Sequence, residues 1–195
     1  MTIWNKLLPF FVSGFLTCFS HPIRAETTSA IFAKYPNIYF IETGSYHGDG
    51  IQKALDAGFP QIFSIEVAPR YVEHCHKRFA NNNRVTLLLG DSTNVLPQLL
   101  TQISSPATFW LDGHYSWGTA RGDLNSPILE ELEAIRQHPI KTHTILIDDI
   151  RLLGTIDFDF LELDDIIKKL LEINPHYKIH FENGFIPNDV LVATP

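Results

Sequence analysis

Five short apolar runs in this sequence end on an acidic residue or just before one. Glu42 closes Ile38-Tyr39-Phe40-Ile41, and Glu66 closes Ile62-Phe63-Ser64-Ile65. Asp91 follows Leu89-Gly90 after Val85-Thr86-Leu87-Leu88, Asp112 closes Thr108-Phe109-Trp110-Leu111, and Asp148-Asp149 closes Thr144-Ile145-Leu146-Ile147. Carboxylates accept hydrogen bonds from ammonium groups and hydroxyls, and they are hard oxygen ligands for small divalent cations. Crowded along one edge they repel one another unless a cation or a ligand's donors compensate. His114 stands two residues beyond Asp112, and an imidazole titrates near neutrality, which suits a general base.

The segment after the first run is Glu42-Thr43-Gly44-Ser45-Tyr46-His47-Gly48-Asp49-Gly50. Gly44 and Gly48 permit a sharp turn and close approach of a ligand to the backbone. Their spacing is not G-x-G-x-x-G, so the dinucleotide fingerprint is missing and a nicotinamide oxidoreductase is disfavoured. Glu66, 22 residues after Gly44, could accept from both hydroxyls of a ribose. Without the glycines that grip a diphosphate, the pattern favours an adenosine cofactor that lacks a pyrophosphate.

The elements that must position these residues alternate. The apolar runs are rich in β-branched and aromatic side chains and nearly continuous, as expected of parallel strands buried on both faces. Between them lie amphipathic stretches. Pro69 opens one in which Val72, Cys75 and Phe79 share a face. Ser126-Pro127 opens another with Ile128, Leu132 and Ile135, and Leu163, Ile166, Ile167 and Leu170 form a third that stops near Pro175. Two last strands, Tyr177 to Phe181 and Val190 to Ala193, are joined by a link too short for a helical crossover, so they pair antiparallel. The expectation is a single α/β domain: a doubly wound, mostly parallel sheet of about seven strands with the final strand antiparallel. Ligands of such sheets bind beyond the carboxyl ends of the strands, where the acids fall.

Taken together, Glu42-Thr43-Gly44-Ser45-Tyr46-His47-Gly48, Ser64-Ile65-Glu66, Gly90-Asp91-Ser92, Leu111-Asp112 and Ile147-Asp148-Asp149 resemble the class I S-adenosylmethionine (SAM)-dependent methyltransferases. Within that superfamily the series is most similar to the metal-dependent, catechol-type O-methyltransferases. It also resembles small bacterial methyltransferase-like proteins carrying Trp-Leu-Asp-Gly-His-Tyr and then Ile-Leu-Ile-Asp-Asp. The match runs from about Tyr39 to Gly154. The resemblance implies a Rossmann-like fold and methyl transfer from SAM to a hydroxyl of a small molecule or sugar, assisted by Mg²⁺ or a similar divalent cation. It assigns Glu42, Gly44, Ser45 and Gly48 to the methionine end of SAM, Glu66 to the ribose, and Asp91 with Ser92 to the adenine. Asp112 serves both cofactor and metal, joined at the metal by Asp148 and Asp149. His114 takes the role of base, although the catechol-type base is a Lys one residue further on, where this chain has Tyr115. His114 could equally ligate the metal or touch the substrate. Tyr115, Trp117 and Gly118, running on to Arg121-Gly122-Asp123, could form a lid over the acceptor.

The chain has 195 residues, 45% hydrophobic and 19% charged, which suits one globular domain and excludes disorder for its bulk. A net charge of -7 gives no basic footprint, so nucleic acid is not an expected partner. With 2 cysteines the chain is no disulfide scaffold. Residues 1–25 carry Lys6 and then an uncharged stretch from Leu7 to Ser20, shorter than the roughly 20 residues of a spanning helix. They read as a signal peptide cleaved after Ala25 or as an N-terminal membrane anchor, with residues 26–195 as the methyltransferase-like domain. The protein is then membrane-associated or exported, or cytoplasmic if the segment is an uncleaved anchor or lies upstream of the true start. Because SAM is a cytoplasmic cofactor, an exported domain would be a non-catalytic binding module that keeps the fold, the alternative to the enzyme.

Overall fold

The computed structural model describes residues 29–115 and 122–195. The N-terminal segment and the residues Trp117, Gly118 and Arg121 of the expected lid therefore lie outside the described residues. Seven strands form one sheet in the order β3-β2-β1-β4-β5-β7-β6. They are β1 (Tyr39–Thr43), β2 (Gln61–Glu66), β3 (Val85–Leu89), β4 (Ala107–Leu111), β5 (Thr144–Ile147), β6 (Lys178–Glu182) and β7 (Val190–Thr194). β1 to β5 pair parallel, and β7 runs antiparallel to both β5 and β6. This is the doubly wound, Rossmann-like architecture expected from the sequence, with each predicted strand within two residues of its place.

Side-chain alternation divides the core between the two faces. Ile41, Phe109, Leu111 and Ile147 point to one face. There they meet Leu96 and Leu99 of α4 (Ser92–Leu100), Ile128, Leu132 and Ile135 of α5 (Ile128–Gln137), and Ile166 and Leu170 of α6 (Leu163–Ile173). Phe40, Ile62, Trp110 and Leu146 point to the other. They meet Phe32 of α1 (Ser29–Ala33), Ile51 and Ala54 of α2 (Asp49–Asp56) and Cys75 of α3 (Pro69–Arg78). Pro69 occupies the first turn of α3, where its missing N–H costs nothing. α4 escaped the sequence pattern because Pro97 lies inside it. Asp91 starts that helix by accepting the Thr93 N–H.

One expectation is corrected. β3 is not buried on both faces: strand order puts it at the sheet's edge, and Leu89 is 55% exposed. An apolar run records that a strand forms, and only the crossovers decide whether a neighbour covers it.

Register fixes the site. Thr43 stands opposite Ile65 and Leu111, and Leu111 opposite Ile147. One residue further on, Glu66, Gly44, Asp112 and Asp148 therefore share a row at the carboxyl edge. The ladder reaches that row: Gly44 N–H donates to Ile65, Asp112 N–H to Thr43 and Asp148 N–H to Leu111. The strand order reverses between β1 and β4, so a switch-point crevice opens within the row.

Candidate cofactor and active site

Two adjoining cavities lie over this crevice and share Gly44, Tyr46, Asp112 and Asp149. The first, ≈ 500 Å³, extends over β2 and β3 and is lined by Glu66, Asp91, Ser92, Gly113 and His114 among others. That volume suits a small organic ligand. The second, ≈ 330 Å³, extends over β5 and includes Glu42, Ser45, Asp148, Arg151 and Phe185.

The loop from Gly44 to Gly48 turns in a way few residues allow. Gly44 has φ +85°, and a Cβ there would lie 2.3 Å from the Asp112 carbonyl oxygen. Gly48 also has φ +85° and backs onto the Phe79 ring rather than onto either cavity. Tyr46, between them, takes φ 44° without being glycine. Its N–H donates to Glu66 Oε2 at 2.9 Å, while Ala68 N–H donates to Glu66 Oε1 at 2.8 Å. The carboxylate is thereby fixed at the mouth of the first cavity.

Glu42 lies beneath the loop, 1% exposed. Ser64 donates to its Oε2, so the Ser64 hydroxyl in turn accepts from Ser45. Burial is the main cause that pushes the Glu42 pKa up to about 8, against the Ser64 hydrogen bond. Asp91 sits in the first cavity, but its oxygens already serve the backbone. Oδ1 accepts from the Thr93 N–H and hydroxyl, and Oδ2 accepts the Asp123 N–H at 3.0 Å. Burial opposes ionisation there, yet these bonds keep its pKa below the ordinary value. Ser92 is buried beside it, at the start of α4.

The three expected metal ligands are divided between two clusters. Donor atoms of Asp112, His114 and Asp149 converge within 4.8 Å, and so do those of Asp148, Asp149 and Asp189. His114 is buried against the Phe158 ring, with Nε2 3.0 Å from Asp149 Oδ2 and Nδ1 3.6 Å from Asp112 Oδ1. Arg151 sits on the second cluster, its guanidinium paired with both Asp149 and Asp189. Desolvation, then the charges of Asp148 and Asp149, raise the Asp112 pKa well above the usual carboxylate range. Burial and Asp149 push Asp148 up to about 7. Burial works against Asp149 too, but His114 and Arg151 outweigh it and lower its pKa.

Sequence reasoning missed Arg151, Asp189 and Phe185, which border the β5 side. Asp189 is 1% exposed and reaches Asp149 because β7 returns beside β5, 40 positions later in the chain. No local spacing could signal that.

No protein family and no curated protein matches the sequence itself. Solved structures do match the fold. An O-methyltransferase from Bacillus cereus in complex with SAH superposes with a TM-score of 0.58 at 10% identity, covering 86% of this chain and 78% of that one. The O-methyltransferase TomG from Streptomyces achromogenes, in complex with SAM, gives 0.57 at 15% identity, covering 85% and 77%. Spermidine synthase from Thermotoga maritima gives 0.55 at 9%, covering 85% and 56%. The fold is that of the class I SAM-dependent methyltransferases. At these identities the likeness speaks for architecture, and one architecture hosts many reactions.

Proposed function

We propose that this protein is a SAM-dependent methyltransferase that methylates a hydroxyl of a small molecule or sugar. The observation that carries this reading is the row Glu66, Gly44, Asp112, Asp148 at the switch point, bordered by two adjoining cavities. The donor set fits the cofactor. Glu66 offers a fixed carboxylate to the ribose hydroxyls, Gly44 allows close approach of the methionine part, and buried Glu42 offers an acceptor to its ammonium. The acceptor substrate then reaches in from the second cavity, beside Asp148 and Phe185, with its hydroxyl at Asp112 and Asp149, which border both cavities and flank His114.

His114 is the base in this reading. With Nε2–H donated to Asp149, the basic atom is Nδ1, on the Asp112 side. It takes the proton of the acceptor hydroxyl, and Asp149 stabilises the imidazolium. SAM, when bound, would supply the methyl group: the O–C bond would form as the S–C bond broke, its electron pair staying on sulfur. Asp112 and Asp149, whose oxygens converge, have the hard ligand atoms for Mg²⁺ or a similar divalent cation, which would lower the hydroxyl pKa when bound; Asp148 belongs to the neighbouring cluster.

Calorimetry of the full chain with SAM, with and without Mg²⁺, tests the reading. Wild type binds SAM, and Glu66→Ala weakens binding by about tenfold or more, as the loss of charge-assisted hydrogen bonds predicts. Binding indifferent to Glu66→Ala refutes the cofactor assignment. His114→Gln lowers kcat by roughly 10²-fold or more with folding intact. Activity indifferent to a chelator removes the cation.

A further inference from the structure

Glu131, in the first turn of α5, is a buried carboxylate for which the reaction has no use. The residue is 0% exposed, and among the described residues neither oxygen has an ion pair or a hydrogen bond of ordinary geometry. It lies directly behind the floor of the cofactor cavity. A Cβ placed on Gly113 would stand 3.3 Å from Glu131 Oε1 and 3.3 Å from the Thr43 hydroxyl, itself unpartnered. Thr43 ends β1, and Gly113 follows the end of β4 by two residues, so Glu131 reaches under the switch-point crevice from the α5 side. The Ser92 hydroxyl, in the cavity wall, is its other polar neighbour.

A buried carboxylate with no partner is costly, and proteins retain one where something compensates it. The nearby charges that bear on this one, Asp91 and Glu130, are both acidic. Ser92 and Thr43 only moderate the burial that pushes its pKa up to about 7. Among the described residues no cation faces it, and a cationic ligand in the cavity whose floor Glu131 underlies would supply the counter-charge.

We propose that Glu131 makes the cofactor pocket sensitive to charge, favouring the cationic sulfonium SAM over its neutral thioether product S-adenosylhomocysteine (SAH). This deepens the methyltransferase reading and rests on it. Methyl transfer converts the positive sulfonium into an uncharged sulfur, so the attraction that holds the donor disappears as the product forms. Glu131 acts through the floor of the pocket as a specificity-determining residue and touches no reacting atom.

The test is calorimetric titration of the full chain with SAM and, separately, with SAH. Glu131→Gln keeps the shape and removes the charge. The ratio of SAM to SAH affinity falls by roughly tenfold, the order expected of one opposite charge in a low dielectric. Glu131→Asp retains the charge and keeps most of the ratio. Equal losses for both ligands in Glu131→Gln mean a merely structural role and overturn the proposal, as does an unchanged ratio. Should the Gln variant fail to fold, Glu131→Met, which also removes the charge, is titrated with both ligands, and an unchanged ratio there overturns the proposal. Wild type binding neither ligand overturns the methyltransferase reading itself, whereas wild type binding both with a ratio that removal of the charge leaves unchanged overturns this inference alone.

Discussion

His143 provides a measurable handle on stability, far from the chemistry. It is fully buried just before β5, its ring edge-on to Phe109 with centroids 5.1 Å apart. Its Nδ1 accepts the Ala107 N–H at 3.0 Å, so the proton of the neutral ring sits on Nε2. That Nε2–H donates to His138 Nδ1 at 3.0 Å, and His138 Nε2–H donates on to the Ile103 carbonyl at 3.1 Å. The relay ties the start of β4 to the end of α5 and works only with both rings neutral. Protonating His143 would bury a charge and break the bond to Ala107. Burial first, then His138 and Lys141, push its pKa down to about 4 from 6.5. Below pH 6.5 the unfolded chain binds a proton that the native state refuses, so stability falls with pH until about pH 4. At 1.36 kcal/mol per pKa unit, the loss between pH 7.5 and 4.5 is about 2.5 kcal/mol. Urea unfolding of wild type and of His143→Asn, whose Oδ1 can still accept from Ala107, isolates it from other titrations. The difference in stability between the two shrinks by about that amount over the interval. A difference that stays constant with pH refutes the neutral relay.

Two further outcomes follow from the site. Gly44→Ala, with a Cβ 2.3 Å from the Asp112 carbonyl and a backbone at φ +85°, should lower the melting temperature and abolish SAM binding. At least about 1 kcal/mol of strain is expected there, and unchanged melting would mean the loop relaxes freely. Arg151→Ala leaves buried Asp189 without its cation at a cost of about 3 kcal/mol or more near neutral pH. Urea unfolding near neutral pH reads the loss, and a variant as stable as wild type counts against this.

Much of the fold was legible because strand-forming runs and amphipathic stripes are local patterns. The stripe Ile128, Leu132, Ile135 became the buried face of α5, and the Ser126-Pro127 start lies at its beginning. α4 was less legible, since an internal Pro97 argues against a helix unless its capping Asp91 is recognised as such. The candidate site was half legible. The acids could be read as a row because each run ends in one, and the register places Glu66, Asp112 and Asp148 together. Their partners could not: Asp91 Oδ1 accepts the Thr93 N–H and Oδ2 the Asp123 N–H, and the donor atoms of the expected metal trio fall into two clusters.

The sequence alone determined the alternation of strand and helix, the antiparallel ending, and the placement of carboxylates at strand ends. Tertiary structure decided which strands became edges, that Arg151 and Asp189 clamp Asp149, and that Glu131 lies unpartnered under Gly113. The physical reason is range. Period and termination are set by neighbours in the chain, whereas the charge a buried group meets depends on which distant segment the crossovers bring beside it.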